Sequence, residues 1–126
     1  MKNYPFTILF FLLTLLLSCK KEGVEKSQKC VKVLYNREYC QKDLHQVLLL
    51  EPNEDATVYE RSDTTKIYLM SLVNLPDSLI KSKTPFYLKY HVDQKITDRY
   101  KSLFCTTDLY PSTINVFNGA SSTSCQ

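Results

Sequence analysis

Large apolar residues occupy every second position from Phe86 to Val92, and this alternation limits the fold more than any other feature. Its apolar members share one side of an extended chain: Phe86, Leu88, Tyr90 and Val92. Because the side chains of a β-strand point alternately to opposite faces, that side is the predicted core face. Tyr87 falls on the opposite face.

Other segments have the composition and length of short β-strands, and none has a long helical period. The predicted strands are 30–35, 47–50, 66–73 and 113–117, with 57–59 either extending or following the second. Pro76, at a position typical of a helix start, predicts one helical turn within 74–82. Segment 95–104 fits either a strand or an irregular crossover, and Asn118-Gly119 predicts a turn.

This order of elements predicts a mainly β fold, because its helical signals are too short for a helix bundle. A small OB-like barrel of five or six strands places a helix between its third and fourth strands, which fits the order. A Greek-key sandwich of two sheets is the alternative. The chain contains only two glycines, Gly23 and Gly119, whereas barrels often use glycine at sharp bends, so closure of the barrel stays open.

The N-terminus combines a positive charge, an apolar run and a cysteine. Lys2 precedes a twelve-residue apolar segment, 6–17, that is interrupted by two threonines. A membrane-spanning helix needs about 20 residues, so this segment has the length of a signal peptide instead. The run ends in Leu16-Leu17-Ser18-Cys19, which resembles the lipobox of bacterial lipoprotein precursors. A plain secretory signal with a coincidental cysteine is the alternative.

The lipobox resemblance implies cleavage before Cys19 and a lipid anchor on that cysteine. Such lipoproteins carry a diacylglyceryl group on the sulfur and usually a third acyl chain on the amine, and two or more chains anchor stably. The implied divisions are a signal peptide, 1–18, a lipidated cysteine with a flexible tether, 19–29, and a single β domain, 30–126. Lys20 stands where lipoproteins retained at the inner membrane carry aspartate, which favours the outer membrane.

The charge balance gives no sign of nucleic-acid binding. Without Lys2 the chain has 15 basic and 13 acidic side chains, and they are interspersed. Four lysines lie near the anchor: Lys20, Lys21, Lys26 and Lys29. Glu22 and Glu25 lie among them, which predicts a solvated tether. Attraction to anionic headgroups or surface sugars is the weaker alternative.

Four cysteines remain after Cys19: Cys30, Cys40, Cys105 and Cys125. An even number in an exported chain predicts two disulfides, because the compartment is oxidising. Their spacing includes no Cys-x-x-Cys pair, which argues against zinc binding or thioredoxin-like chemistry. We favour Cys40–Cys105 with Cys30–Cys125, since the second bond would pin both ends of the domain. The sequential pairing, Cys30–Cys40 with Cys105–Cys125, is the alternative.

Several short motifs resemble those of small bacterial lipoproteins with OB-like β domains. They are Cys40 before a strand, Asn74-Leu75-Pro76 after the central strand, Phe86-Tyr87-Leu88, Cys105, and Ile114-Asn115-Val116. The resemblance covers residues 30 to about 118. It implies fold and location, and it implies no activity.

Catalytic and metal-binding patterns are weak in this sequence. Asp43 and Asp93 each lie two residues from a histidine, His45 and His91, but no nucleophile motif accompanies either pair. We expect both histidines at the surface beside strands. Segment 53–55 is acidic but lacks the alternating oxygen ligands of a calcium loop. We therefore predict no catalytic residue, no metal ligand and no cofactor.

Tyr87 is the one candidate binding residue, because it lies opposite the predicted core face. A half-buried tyrosine of the kind common in sheets is the alternative. We expect a non-enzymatic envelope lipoprotein that binds or braces another envelope component, a protein or a glycan, with no nucleic-acid partner. The alternative is a small envelope hydrolase, or a ligand carrier with a pocket in the barrel.

We expect the mature protein to carry lipid on Cys19, because the charge, apolar run, small residue and cysteine occur in the order of a lipobox. Mass spectrometry of protein extracted from membranes should find an N-terminal peptide that begins at Cys19 with added acyl mass. The Cys19→Ala variant should remain uncleaved or mislocalised. A water-soluble wild-type protein cut at another position would contradict the anchor.

Overall fold

A computed structural model describes residues 27–39, 41–103 and 113–125 of the chain. Within these ranges the fold is mainly β. Its elements are β1 (Lys29–Glu38), β2 (Leu44–Leu49), β3 (Thr57–Glu60), β4 (Lys66–Val73), β5 (Phe86–Val92), α1 (Gln94–Lys101) and β6 (Ile114–Ser121). No helix in the described part of the chain is long and apolar enough to cross a membrane.

Five of the strands form a closed barrel. Around the ring, β1 pairs with β2, β2 with β4, β4 with β6, β6 with β5, and β5 again with β1. All these pairings are antiparallel except the parallel pairing of β4 with β6. The short β3 is an extra strand beside the first half of β4. The expected barrel is therefore formed, in place of two separate sheets.

The barrel interior is filled with apolar side chains. Those buried most completely come from β1, β2, β4 and β5: Val33, Val47, Met70, Leu72, Leu88 and Tyr90. The alternation in β5 has the predicted result, because Phe86, Leu88 and Tyr90 are buried and Tyr87 between them is half-buried. One layer of packed side chains therefore occupies the space that a larger barrel would leave for a ligand.

A second apolar cluster lies outside the barrel, where α1 packs on the sheet. Its buried members are Tyr39, Leu44, Val73, Tyr100 and Ile114. Asp93 begins α1 by accepting hydrogen bonds from the backbone amides of Lys95 and Ile96, at 3.0 and 3.3 Å. An N-cap of this kind satisfies amides that have no partner within the helix. Segment 95–104, expected as strand or crossover, is therefore helical over most of its length.

The helical turn expected within 74–82 is present, but it does not extend into a helix. The backbone amides of Leu79 and Ile80 both donate to the carbonyl oxygen of Pro76, at 2.9 and 3.3 Å. Lys81 follows with a φ of 66°, a left-handed conformation that ends the turn. The helix of this fold lies instead between β5 and β6.

Two strand boundaries differ from the sequence-based expectation. β2 begins at Leu44 rather than Val47, so it includes His45 and Gln46. The predicted turn at Asn118-Gly119 lies inside β6. Lys89 pairs with Gly119 and Tyr90 pairs with Phe117, so Asn118 is an extra residue, a β-bulge. The expectation was wrong because asparagine and glycine are favoured in bulges as well as in turns.

Cys30 and Cys125 form a disulfide, with their Cα atoms 5.7 Å apart. This confirms one of the two favoured bonds and excludes the alternative bond between Cys30 and Cys40. The other favoured pair, Cys40 with Cys105, lies outside the described residues. The bond joins positions 95 residues apart, and the chain-entropy treatment assigns a loop of this length about 4–5 kcal/mol of stabilisation. It fixes the C-terminal segment to the first strand.

Candidate binding surface

One row of four neighbouring side chains crosses the outside of the barrel from strand to strand: Leu50, Lys32, Tyr87 and Ser121. The amide of Leu50 donates to the carbonyl of Lys32 at 3.1 Å, at the end of the β1–β2 pairing. Lys32 is opposite Tyr87 on β5, and Tyr87 is opposite Ser121 on β6. Residues directly opposite one another share a face. Because Val31 and Val33 beside Lys32 are buried in the core, this row faces outward.

Tyr87 lies on the outer face, as its place in the alternation predicts, and its ring contacts a cation. The Lys32 ammonium is 5.5 Å from the centre of the Tyr87 ring, within the range of a cation–π interaction. Lys32 is exposed and Tyr87 is half-buried. Leu50, in the same row, is 45% exposed. The row therefore combines a charged, an aromatic and an aliphatic side chain on open surface.

The segment 78–85 borders this row with two shallow grooves. The larger, about 380 Å³, lies between Leu34 of β1 and the exposed side chains of Lys81 and Lys83. The smaller, about 300 Å³, is on the other side of the same segment and reaches Ser121. We call the whole surface the β1–β5 face. It consists of Lys32, Leu34, Leu50, Lys81, Lys83 and Tyr87.

The outer face of β2 and β4 is covered over part of its length. Leu44 and Val73 are opposite one another in these strands, and both belong to the cluster beneath α1. The next outward pair, Gln46 and Ser71, is also buried. The Gln46 side chain accepts a 2.8 Å hydrogen bond from Nε of Arg37. The outer side of β2 and β4 is therefore less open than the β1–β5 face.

His45 is buried, at 5% exposure, so the expectation of a surface position was wrong. The early start of β2 puts His45 in the same alternation as the core residues Val47 and Leu49. Its ring centre is 6.1 Å from that of Tyr35, and its Nδ1 has no hydrogen-bond partner. The surface position was expected because His45 and Gln46 are polar, so the sequence pattern placed the start of β2 after them.

Neither aspartate near a histidine forms the pairing that a catalytic reading would need. Asp43 accepts a hydrogen bond from the hydroxyl of Tyr100, and burial together with this carboxylate raises the pKa of Tyr100 to about 12. Asp93 caps α1. His91 places Nδ1 2.8 Å from Oδ1 of Asn118. Asp43 therefore joins α1 to the start of β2, and Asp93 stabilises the first turn of the helix.

The acidic segment 53–55 lies against the barrel and is neutralised there. Lys29 donates hydrogen bonds to Glu54 and Asp55 at 2.7 and 2.8 Å, and these contacts hold its pKa well above the ordinary value. The buried Tyr90 donates to Asp55 at 2.9 Å. Burial and then this carboxylate raise the pKa of Tyr90 to about 12. Lys29 thus joins this segment to β1, and Tyr90 joins it to β5.

Asn115 is the least expected residue of the interior. It is 0% exposed, and neither its amide nitrogen nor its amide oxygen has a hydrogen-bond partner. In the pairing of β6 with β4 it is opposite Leu72, and in the pairing of β4 with β2 Leu72 is opposite His45. The only sequence signal was a polar residue between Ile114 and Val116, a pattern shared with ordinary surface strands.

Comparison with known protein families, with curated proteins and with solved structures gives no match. The functional argument therefore rests on the residues and contacts above. The most distinctive of these is the β1–β5 face, because it alone joins an exposed apolar side chain, an aromatic ring and several lysines in the described part of the chain.

Replacing Asn115 by leucine should stabilise the protein, because a buried amide without a partner costs about 1–3 kcal/mol and leucine has the same branching and the same number of non-hydrogen atoms. Urea denaturation should show a higher midpoint with an unchanged slope. Gln46→Met is the matched control, since it removes a buried amide that has a partner in Arg37, and it should lower the midpoint. A lower midpoint for Asn115→Leu as well would mean that the amide is satisfied.

Proposed function

We propose that the protein is a lipid-anchored lipoprotein of the cell envelope, held at the outer membrane through Cys19, and that its barrel is a non-enzymatic binding module. The order of residues at 16–19 supports the anchor. The Cys30–Cys125 disulfide supports an exported domain, because such bonds persist in oxidising compartments. The open, basic and aromatic β1–β5 face supports binding as its mode of action.

We also infer that the barrel is OB-like. Counting only the barrel strands, the first three, β1, β2 and β4, pair antiparallel in chain order. The last barrel strand, β6, is parallel to β4, and both features support this view. OB-folds bind oligonucleotides and oligosaccharides on the face of their second and third barrel strands, which correspond here to β2 and β4. One end of that face, at Leu44 and Val73, is covered beneath α1 in this chain. The usual ligands of OB-folds therefore gain little support, and we favour the β1–β5 face as the surface for a partner.

The described residues give less support to the two alternative functions, a ligand carrier and a hydrolase. A ligand carrier would need space inside the barrel, where Val33, Leu72 and Leu88 are fully buried in a filled core. A hydrolase would need a histidine beside both a carboxylate and a nucleophile. His45 lies beside Tyr35 and His91 beside Asn118. We therefore favour binding at the outer surface.

Photo-crosslinking in intact cells tests this function. A benzoylphenylalanine placed at Tyr87 should form adducts with an envelope component, because the position lies at the centre of the open face. The matched control is the same group at Val58, which is 49% exposed but lies on β3, away from the row. The adducts should be lost in a Cys19→Ala background.

Equal adduct formation from positions 58 and 87 would show that the β1–β5 face has no special role. Adducts that persist undiminished in the Cys19→Ala background would show that binding does not depend on the anchor. Mass spectrometry of the adducts identifies the class of component that lies against the face.

A further inference from the structure

We propose that the β1–β5 face docks against the anionic headgroup layer of the membrane that holds the lipid on Cys19. This proposal rests on the lipoprotein assignment and names the ligand of the surface described above. The occupant is the lipid surface itself, and an envelope glycan or protein is an outcome of the test that would overturn it.

The length of chain outside the barrel brings this membrane within reach. β1 begins at Lys29, ten positions after Cys19. An extended chain spans at most about 3.6 Å per residue, so the barrel lies within about 36 Å of its anchor. The strand that leaves the tether is the same strand that carries Lys32 and Leu34. A tether of this length lets the barrel contact the headgroup layer, and the composition of its surface decides which side does so.

The charge of the β1–β5 face is complementary to an anionic surface. Lys32, Lys81 and Lys83 are all exposed, and two exposed acids adjoin these positions in the chain, Glu51 next to Leu50 and Asp77 four residues before Lys81. Basic residues near an anionic leaflet strengthen membrane association several-fold each, over a distance comparable to the Debye length. Lys29 does not add to this charge, because Glu54 and Asp55 hold its ammonium.

The uncharged side chains of the face also suit an interface with lipid. Leu50 is 45% exposed and lies in the same row as Lys32 and Tyr87. Tyrosine is enriched at the headgroup level, where its ring is apolar and its hydroxyl is wet. Lysine can place its stem along apolar surface while its ammonium stays among the headgroups. Aromatic, aliphatic and basic groups are thus presented together, as in proteins that bind membrane surfaces.

The contacts of Tyr87 favour lipid over a stacked sugar. The Lys32 ammonium lies 5.5 Å from the ring centre and occupies one ring face, and the ring is half-buried in the sheet. A sugar would have to displace this ammonium to stack on that face. A headgroup phosphate needs only to approach the lysines, which extend from the outer side of the barrel.

Lysine acetylation of the full lipidated protein tests the docking. The protein is reconstituted on vesicles of phosphatidylcholine alone, or of equal parts phosphatidylcholine and phosphatidylglycerol, and acetylation rates are read by mass spectrometry. Acetylation of Lys32, Lys81 and Lys83 should slow by roughly fivefold on the anionic vesicles, the factor expected for one lysine at such a surface. Lys66 and Lys95, exposed on β4 and α1, should react at the same rate on both.

Charge reversal provides the matched variants. Lys81→Glu with Lys83→Glu should remove the protection of Lys32, whereas Lys66→Glu with Lys95→Glu should leave it. About 1 M salt, where the Debye length is near 3 Å, should also remove the protection. Protection of Lys32 that survives the first pair of substitutions and the salt would overturn electrostatic docking.

The remaining outcomes separate this proposal from the assigned function. Protein that fails to float with either kind of vesicle would contradict the lipid anchor itself. Protein that floats with both, while its lysines react equally on both, would overturn docking and leave the anchor standing. Protection that requires added envelope glycan or protein would likewise overturn the membrane as the occupant.

Discussion

The parallel pairing of β4 with β6 is the constraint on which the rest of the structure depends. β4 pairs with β2 on one edge, and its other edge is divided between β3 and β6. This last pairing closes the ring, so no barrel strand keeps a long unpaired edge. Closure also fixes which side chains face inward. Leu72 lies inside between His45 and Asn115, and Val73 lies outside beneath α1.

The two outer sides of the closed barrel differ in how far they are covered. α1 is held to the barrel by Asp43, which accepts a hydrogen bond from Tyr100, and by Thr97, which accepts a 3.0 Å hydrogen bond from the amide of Ile114. The opposite side carries the β1–β5 face. The disulfide fixes the C-terminal segment to β1. The disulfide therefore adds a covalent link to the hydrogen-bonded pairings of the barrel.

The sequence predicted the elements whose periodicity is strong. The alternation of Phe86–Val92 and the apolar length of 66–73 correspond to β5 and β4, and the position of Tyr87 on the outer face follows from the first. α1 was missed because it is eight residues long and has few apolar residues. The start of β2 was missed because His45 and Gln46 are polar yet buried. The remainder of the β1–β5 face was not predictable, since Leu50 joins Lys32 only through strand pairing.

Amide hydrogen exchange at the β4–β6 pairing tests closure of the barrel most directly. The amides by which 71–73 and 114–116 face one another should exchange as slowly as those of the β1–β5 pairing at 31–33, because both open only when the barrel unfolds. In an open sheet the same segments would retain their pairings with β2 and β5 alone. The amides that join β4 to β6 would then exchange as fast as those of the exposed segment 81–85. This result would contradict the closed barrel.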